Sequence, residues 1–369
     1  MSAPKPKRPR GRPPVPSTAH RLLADLFRRR IRGGDWPPGA VIPPWRTLAR
    51  EHRVSARVVQ LACESLKQDG LLAATPQRRL VACDPRSPGL DLRKNILVLL
   101  TSSPALMLNG RMYAELLEGI LRGAGECACP VQIAYDDRLS NHVPRELLER
   151  PCLGIVLVGK VSVQALKRYA KLNVPVVLAD HPVTPLALHT AGVDNRQATR
   201  LLVERLDALG HRRIAFLRRL SIHHVHQVDP DALERQHELL AAIADLDAAG
   251  RGARACEVFS FFPNDGPEAP AFRAILNARK RFSAVIAGDP GTARHFIQAA
   301  QAAGRRVPQD CSVLAYATLA DAGSVAGVGF DFREVGRLAA RLAAQPQRPP
   351  LRLQTPGRWL DGPTLAPAP

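Results

Sequence analysis

The side chains that could do chemistry in this sequence are mainly basic, and they concentrate near the start of the chain. Five Lys or Arg residues and no acidic residue precede Ser17, and Arg10-Gly11-Arg12 stands between prolines in "PRGRPP". Residues 1–90 contain about 18 Lys or Arg against about 6 Asp or Glu, so they carry most of the formal net charge of +19. Such an excess favours a polyanionic partner.

Residue sets with catalytic or metal-binding spacing are missing from the sequence. It has no paired carboxylates, nucleophile elbow or phosphate-binding glycine loop, so we expect neither enzyme activity nor a cofactor. His223, His224 and His226 lie together in "SIHHVHQ" without a fourth ligand nearby, and the seven cysteines form no CxxC pair, so we expect no metal. This cysteine usage indicates a reduced, cytoplasmic protein, and no apolar run is long enough to span a membrane.

Residues 17–83 show the pattern of three helices followed by a short hairpin. Apolar residues recur at helical spacing up to Ile31, and "WRTLAREH" predicts a short second helix. Ser55 stands where it can cap a third helix, which ends at Gly70, and two β-like runs follow, "LLAA" and "RLVAC". This arrangement predicts a winged helix-turn-helix.

The stretch "IRGGDWPPGAVIPPWRTLAREHRVSARVVQLACESLKQDGLLAA" resembles the GntR family of bacterial regulators, and the likeness covers roughly residues 20–83. The resemblance implies DNA binding by a winged helix. The sequence departs from the family pattern at Trp45, at Ala56-Arg57-Val58 and in the wing at Gln77-Arg78-Arg79. The family's base specificity is therefore not carried over to this chain.

Polar side chains at the matching positions have roles that a DNA duplex would use. A recognition helix meets bases through its N-terminal half, where Arg57 suits guanine and Gln60 suits adenine. Ser55 caps this helix and can present its N-terminus to a phosphate. The other expected contacts are Arg46 and Arg53 on the phosphate backbone and Arg78 or Arg79 in a minor groove. The alternative is that these arginines form the solvated face of a helical protein-binding domain.

Residues 84–94, "DPRSPGLDLRK", form a predicted linker, and short apolar runs alternate with helix-like stretches beyond it. The predicted strands are "NILVLL" (95–100), "VQIAY" (131–135), "GIVLVG" (154–159), "VPVVLAD" (174–180), "RIAFLR" (213–218), "SAVIAGD" (283–289) and "SVLAY" (312–316). Helix-like stretches such as Tyr113 to Cys127 and Asn195 to Leu209 separate them. This alternation predicts an α/β fold, with parallel sheets covered by helices on both faces and arranged in two lobes.

The segment "AGVDNRQATRLLVERLDALGHRRIAFLR" is similar to the sensor domain of LacI/GalR regulators, which has the periplasmic-binding-protein fold. Further matches stand in the family's order: "YAELLEGI", "FSAVIAGDPGTARHFIQAAQAAGRRVPQDCSVLAY" and "GFDFREVGRLAARL". The likeness covers about residues 95–365. It implies that the N-terminal winged helix-turn-helix is joined to a two-lobed periplasmic-binding-protein-like α/β domain, residues 95–369, which senses a ligand and dimerises.

Ligands bind such folds between the lobes, at the carboxyl ends of strands. Polar residues at such places are Ser102, Ser103, Asp180, His181, Asp194, Asn195 and Asp289. Arg235 matches the family's sensor arginine. Paired hydrogen bonds from these groups suit a sugar or a similar small polar molecule. Asn195 and Asp289 can instead cap helices, and Ala315-Tyr316-Ala317-Thr318 replaces the family's Gly-Phe-Asp-Asp, which removes a ligand-gripping carboxylate.

These features together predict a ligand-responsive, DNA-binding transcriptional regulator, and the resemblance favours a repressor. We expect it to bind double-stranded DNA as a homodimer, because two half-sites double the contacts. One alternative is an architectural DNA-binding protein whose sensor-like domain only dimerises. Another is a solute-binding or enzymatic α/β domain with an incidental basic arm.

Residues 1–16 are predicted to be a disordered basic arm, and "PRGRPP" resembles an AT-hook, whose core is Arg-Gly-Arg-Pro. Gly11 has no side chain, so the backbone can lie on the floor of a narrow minor groove. Arg10 and Arg12 can then extend along that floor in opposite directions, where narrow A·T tracts concentrate negative potential. The alternative is a tail that contacts phosphates anywhere.

Replacing Arg10 and Arg12 together by alanine should lower the affinity for operators flanked by A·T tracts by several-fold. Operators with G·C flanks should lose clearly less, because the guanine amino group obstructs the groove floor. Fluorescence anisotropy at matched salt measures both losses, and the double lysine variant is the control that keeps the charge. Equal losses on both flanks, or full rescue by lysine, would show that the arm acts by charge alone.

Overall fold

The computed structural model describes residues 19–75, 79–83, 94–101, 110–135, 152–181, 186, 188–220, 230–251, 254–345 and 349–369. The chain divides into two compact units. The first contains residues 1–95 with 144–152, and the second contains residues 96–143 with 153–369. Among the described helices, none has the length and apolar character needed to cross a membrane.

The first unit is a winged helix-turn-helix, as its sequence predicts. Its elements are α1 (Ala19–Gly33), α2 (Trp45–Glu51), α3 (Ala56–Gln68) and the antiparallel hairpin of β1 (Leu72–Ala74) and β2 (Leu80–Ala82). The apolar stripes of the three helices meet in one core, in which Phe27, Leu48 and Leu66 are completely buried. Val41 forms a β-bridge to Val81, so the segment between α1 and α2 is tied to the wing.

The second unit has two lobes, and each is built on a six-stranded sheet. The first-lobe sheet has the order β13-β7-β6-β5-β3-β4, with every neighbouring pair parallel. Its strands are β3 (Ile96–Leu100), β4 (Val131–Tyr135), β5 (Gly154–Val158), β6 (Val176–Ala179), β7 (His189–Val193) and β13 (Arg352–Thr355). Its helices are α4 (Arg111–Glu126), α5 (Val163–Tyr169) and α10 (Phe332–Ala344).

The second-lobe sheet has the order β14-β12-β11-β10-β8-β9, and only its edge strand β14 is antiparallel to its neighbour among the described strands. Its strands are β8 (Arg213–Arg219), β9 (Ala255–Phe261), β10 (Ala284–Ala287), β11 (Ser312–Thr318), β12 (Ala326–Phe330) and β14 (Arg358–Leu360). Its helices are α6 (Asn195–Ala208), α7 (Pro230–Ala248), α8 (Pro270–Leu276) and α9 (Pro290–Ala302). Strands such as β10 and β11 are buried along their whole length, which explains their continuous apolar sequences.

The described chain passes between the lobes three times, from β7 to α6, from β12 to α10 and from β13 to β14. At the first crossing, Asp194 caps α6 by accepting a hydrogen bond from the Gln197 amide at 2.9 Å. At the second crossing, Asp331 caps α10 in the same way. The side chain of Gln197 also donates to the Gly357 carbonyl at 3.2 Å and accepts from the Gly357 amide at 2.8 Å. These bonds join the first crossing to the third.

Helices α4 and α10 cross at backbone contact, and glycines make this approach possible. A Cβ at Gly119 would overlap the carbonyl oxygen of Arg333, and one at Gly336 would overlap that of Leu116. Helix α10 follows a strand of the second lobe but packs on α4 and on strands of the first, so this packing fixes where the chain returns to the first lobe.

Gly119→Ala should destabilise the chain by about 1–3 kcal/mol, because backbone rather than a flexible side chain blocks the added methyl group. Gly125→Ala in the same helix is the matched control, since nothing lies within 4 Å of its Cβ position. It should stabilise the chain by about 0.5–1 kcal/mol through helix propensity. Urea unfolding followed by far-UV circular dichroism measures both, and equal effects would contradict the close crossing.

Candidate nucleic-acid interface and ligand cleft

The turn between α2 and α3 positions the recognition helix of the first unit. Arg53 in this turn has a φ of 52°, a left-handed conformation that reverses the chain direction within few residues. Ser55 then caps α3 by accepting a hydrogen bond from the Val58 amide at 3.3 Å, as predicted from the sequence. His52 packs edge-on against the buried ring of Phe27, with 5.5 Å between ring centroids, so the turn is anchored in the core.

The arginines predicted to contact DNA are exposed where the structure describes them. Arg46 lies in the first turn of α2, Arg53 in the turn and Arg57 in the first turn of α3. Arg79 is exposed at the base of the wing, where its backbone exchanges hydrogen bonds with Thr75. Four of the predicted contacts, Arg10, Gly11, Arg12 and Arg78, lie outside the described residues.

The polar face of α3 carries a chain of side-chain hydrogen bonds. Nη1 of Arg57 donates to Oε1 of Gln60 at 3.0 Å, and Nε2 of Gln60 donates to Oε1 of Glu64 at 2.9 Å. The two residues proposed from sequence as base readers are thus joined, and Glu64 is added to them. Glu64 was not among the residues predicted from the sequence, although its spacing of four residues from Gln60 is a signal for such a contact.

A small cleft in the second unit brings together residues from both lobes. The residues that line it are Asp180, His181, Thr190, Gly192, Val193, Leu353 and Gln354 from the first lobe and Asn195, Asp231 and Glu234 from the second. Asp180 directly follows β6 with a φ of 51°, and its amide donates to the Ala191 carbonyl at 2.8 Å. The part of the cleft lined by described residues holds about 20 Å³, which is room for a water molecule.

Of the predicted ligand contacts, the structure places Asp180, His181 and Asn195 at this cleft, and Ser102 and Ser103 lie outside the described residues. Asp231 and Glu234 were not among the predicted ligand contacts, because they lie on α7 and not at the end of a strand. The only available signal for Glu234 was its position next to Arg235. The three histidines considered for a metal also lie outside the described residues.

Arg235 is held by the second lobe itself. Its Nε donates to Oδ1 of Asn195 at 3.0 Å, and its Nη1 donates to the Gly288 carbonyl at 2.9 Å. The guanidinium carbon also lies 4.4 Å from the ring centroid of Tyr316. The amide of Asn195 in turn donates to Oε2 of Glu234 at 2.7 Å. Arg235 therefore positions the cleft residue Asn195 through a contact within its own lobe.

Two predicted ligand residues cap helices. Asp194 caps α6, and Asp289 caps α9 by accepting from the Thr292 amide at 2.9 Å and from the Thr292 hydroxyl at 2.8 Å. Asp289 therefore forms the helix cap that its place in the sequence allows. Nη1 of Arg219 lies 3.8 Å from Oδ2 of this carboxylate. The same expectation for Asn195 was wrong, because Asp194 provides the cap and Asn195 is the first residue of the helix.

An alanine, Ala317, stands where the family has a ligand-gripping carboxylate. Ala317 is almost fully buried, and Tyr316 beside it packs under Arg235. Burial raises the pKa of the Tyr316 phenol to about 12, so this group stays protonated and hydrogen-bonds the Thr199 hydroxyl at 2.7 Å. The acceptors that the cleft offers come instead from Asp180, Asp231 and Glu234.

Residues 20–81 match the family model described as bacterial regulatory proteins, gntR family. Residues 203–356 match that of the periplasmic binding protein-like domain. A curated relative, the uncharacterized HTH-type transcriptional regulator YdfD of Bacillus subtilis, is 38% identical over 56 residues. That match covers 15% of this chain and 12% of the relative.

Solved structures of LacI-family regulators share the fold. The putative LacI regulator from Bacillus cereus subsp. cytotoxis has a TM-score of 0.60 and 18% identity, over 74% of this chain and 99% of its own. The CCPA regulator from Weissella paramesenteroides with bound sucrose has a TM-score of 0.59 and 15% identity, with the same coverage. This chain therefore joins an N-terminal domain that matches the gntR-family model of bacterial regulators to a domain that matches the periplasmic binding protein-like model and shares its fold with LacI-family regulators.

Proposed function

We propose that the chain is a cytoplasmic transcriptional repressor that binds operator DNA through its winged helix and responds to a small polar effector in the cleft. The observation that carries this proposal is the exposed N-terminal half of α3, where Arg57 and Gln60 stand on a capped, core-anchored helix. A bound repressor blocks transcription simply by occupying the promoter. The effector domain lies in the same chain, so ligand binding can be coupled to DNA binding.

The arginines of the first unit divide into two proposed roles. Arg57 lies in the first turn of the recognition helix, where side chains reach base edges in the major groove. Arg46 and Arg53 precede that helix, where contacts to the phosphate backbone position the protein without reading sequence. The two kinds of contact have different signatures in binding experiments, because only base contacts discriminate between duplexes.

Arg57→Ala should lower the affinity for an operator selected from random duplexes by about 5- to 100-fold, and it should lower the affinity for scrambled DNA much less. Arg46→Ala should weaken binding to both duplexes by the same factor. Anisotropy titrations at one fixed salt concentration measure both effects. Equal losses on operator and scrambled DNA for Arg57→Ala would favour the architectural alternative.

The cleft supports a ligand rich in hydroxyl groups. Carboxylates of Asp180, Asp231 and Glu234 approach it from both lobes, and such groups accept hydrogen bonds from paired hydroxyls. We propose that ligand binding moves the lobes relative to each other about the three described crossings. Outside the cleft, Arg111 of the first lobe donates to the Ala320 carbonyl of the second at 2.7 Å, a contact that such a movement would break. The bound sucrose and glucose of the Weissella regulator support a sugar as the effector.

A sugar that binds the cleft should raise the melting temperature of the full chain by mass action. The added free energy of unfolding is about 2.7 kcal/mol when the free sugar concentration is 100 times Kd. Asp180→Asn should remove this shift, and asparagine tolerates the left-handed backbone at that position. Glu204→Gln is the control with the same charge change, since Glu204 is exposed on α6 about 13 Å along the helix from Asn195. Absence of a shift across sugars and polyols would contradict the effector proposal.

The first lobe offers a surface for a second copy of the chain. β4 is the edge strand of its sheet, and Ile133 and Tyr135 on one face of it are 49% and 44% exposed. Leu121 on the connecting helix α4 is 52% exposed. An open edge strand with exposed apolar side chains favours pairing with another protein surface. We therefore propose that the chain forms a homodimer. Two copies of the winged helix would match a DNA site with two half-sites.

A further inference from the structure

We propose that Glu64 is a positioning residue for base recognition, which orients the Gln60 amide and, through it, the Arg57 guanidinium. This inference rests on the proposed binding of operator DNA. Glu64 lies one helical turn beyond Gln60 on α3, further from the N-terminal half that meets the bases. Its contribution to specificity therefore comes through its neighbour and not through a contact with DNA.

The hydrogen bonds on α3 fix which way the Gln60 amide faces. A carboxylate only accepts hydrogen bonds, so the group that Gln60 turns toward Glu64 must be its NH2. The carbonyl oxygen of Gln60 then faces Arg57, whose guanidinium only donates. A flipped amide would put two acceptors together at one end and two donors at the other. Glu64 thus selects one of the two orientations available to Gln60.

The selected orientation leaves Gln60 equipped to recognise adenine. One N–H of its amide and one lone pair of its carbonyl oxygen remain after the bonds to Glu64 and Arg57. Adenine presents an N7 acceptor and an N6 donor in the major groove, which pair with one donor and one acceptor. Arg57 keeps four of its five N–H groups, enough for a bidentate contact to guanine. The three side chains form one preorganised unit suited to neighbouring purines.

Glu64 carries both a negative charge and a hydrogen-bond acceptor, and the two affect DNA binding differently. A carboxylate on this face repels the phosphates of any duplex, so removing the charge should raise affinity for every sequence alike. Removing the hydrogen-bond acceptor should instead reduce the difference between operator and scrambled DNA. Glutamine at position 64 loses the charge but keeps an acceptor oxygen, whereas alanine loses both.

The test begins with an operator selected from random duplexes by the full-length wild-type chain. The ratio of Kd for scrambled DNA to Kd for the operator is then compared among variants. Glu64→Ala should lower this ratio by at least about five-fold, the value of a weak bidentate base contact. Glu64→Gln should keep the ratio within about two-fold while strengthening binding to both duplexes. Asp35→Asn, an exposed acid between α1 and α2, controls for charge and should leave the ratio unchanged.

A double-mutant cycle shows whether Glu64 acts through Gln60. In a Gln60→Ala background, Glu64→Ala should cause no further loss of discrimination, since the group that it orients is gone. Circular dichroism and melting temperature confirm that the variants fold. Equal ratios for Glu64→Ala and Glu64→Gln, or additive losses in the cycle, would overturn the positioning role while leaving DNA binding intact. Failure of the wild-type chain to enrich any sequence would instead overturn the proposed function, and this inference with it.

Discussion

The contact between α4 and α10 is the constraint on which the two-lobed unit depends. Helix α10 begins at the end of a second-lobe strand, yet it packs on the first lobe, so the chain must return at that point. The approach depends on Gly119, Gly123 and Gly336, which put no side chain between the two backbones. When α10 packs on the first lobe, the Asp331 cap at its N-terminus is held in place. The carboxyl ends of the two sheets can then face the same cleft.

The second lobe uses most of its cleft-side polar groups to hold itself together. Arg235 binds Asn195 and the carbonyl of Gly288, while Asp194 and Asp289 each cap a helix. Buried or half-buried groups of this kind need partners, since an unsatisfied one costs about 1–3 kcal/mol. The carboxylates that line the cleft come from both lobes, with Asp180 in the first and Asp231 and Glu234 in the second. A ligand that engages both sets changes the balance between lobe arrangements only by its differential affinity for them.

The proposed DNA contacts of the first unit lie on two sides of the helix cap of α3. Arg46 and Arg53 come before the cap of α3, and Arg57 and Gln60 come after it. Ser55 marks the boundary, because its hydrogen bond to the Val58 amide sets where the helix begins. Glu64 is an acidic residue on this basic face, and its carboxylate accepts a hydrogen bond from the Gln60 amide.

The sequence alone determined the elements whose signals are local. The Ser55 cap, the apolar stripe of α3 and the continuous apolar runs of β3 and β10 all follow from the spacing of neighbouring residues, and the structure confirms them. It did not reveal β7, "HTAGV", or β13, "RLQT", because neither has the apolar run of a buried strand. Their strand conformation depends on tertiary pairing: β7 pairs with β6 and β13, and β13 reaches β7 across more than 150 residues of chain.

Only the tertiary structure decided what the candidate site residues contact. The residues around Arg235 come from α6, the end of β10 and β11, and no spacing in the sequence indicates that they converge. Asp194 and Asn195 are adjacent and similar in chemistry, yet Asp194 caps α6 and Asn195 binds Arg235. A side chain's partner depends on which way it points and on what distant segments bring to it. Residue type and position along the chain specify neither of these.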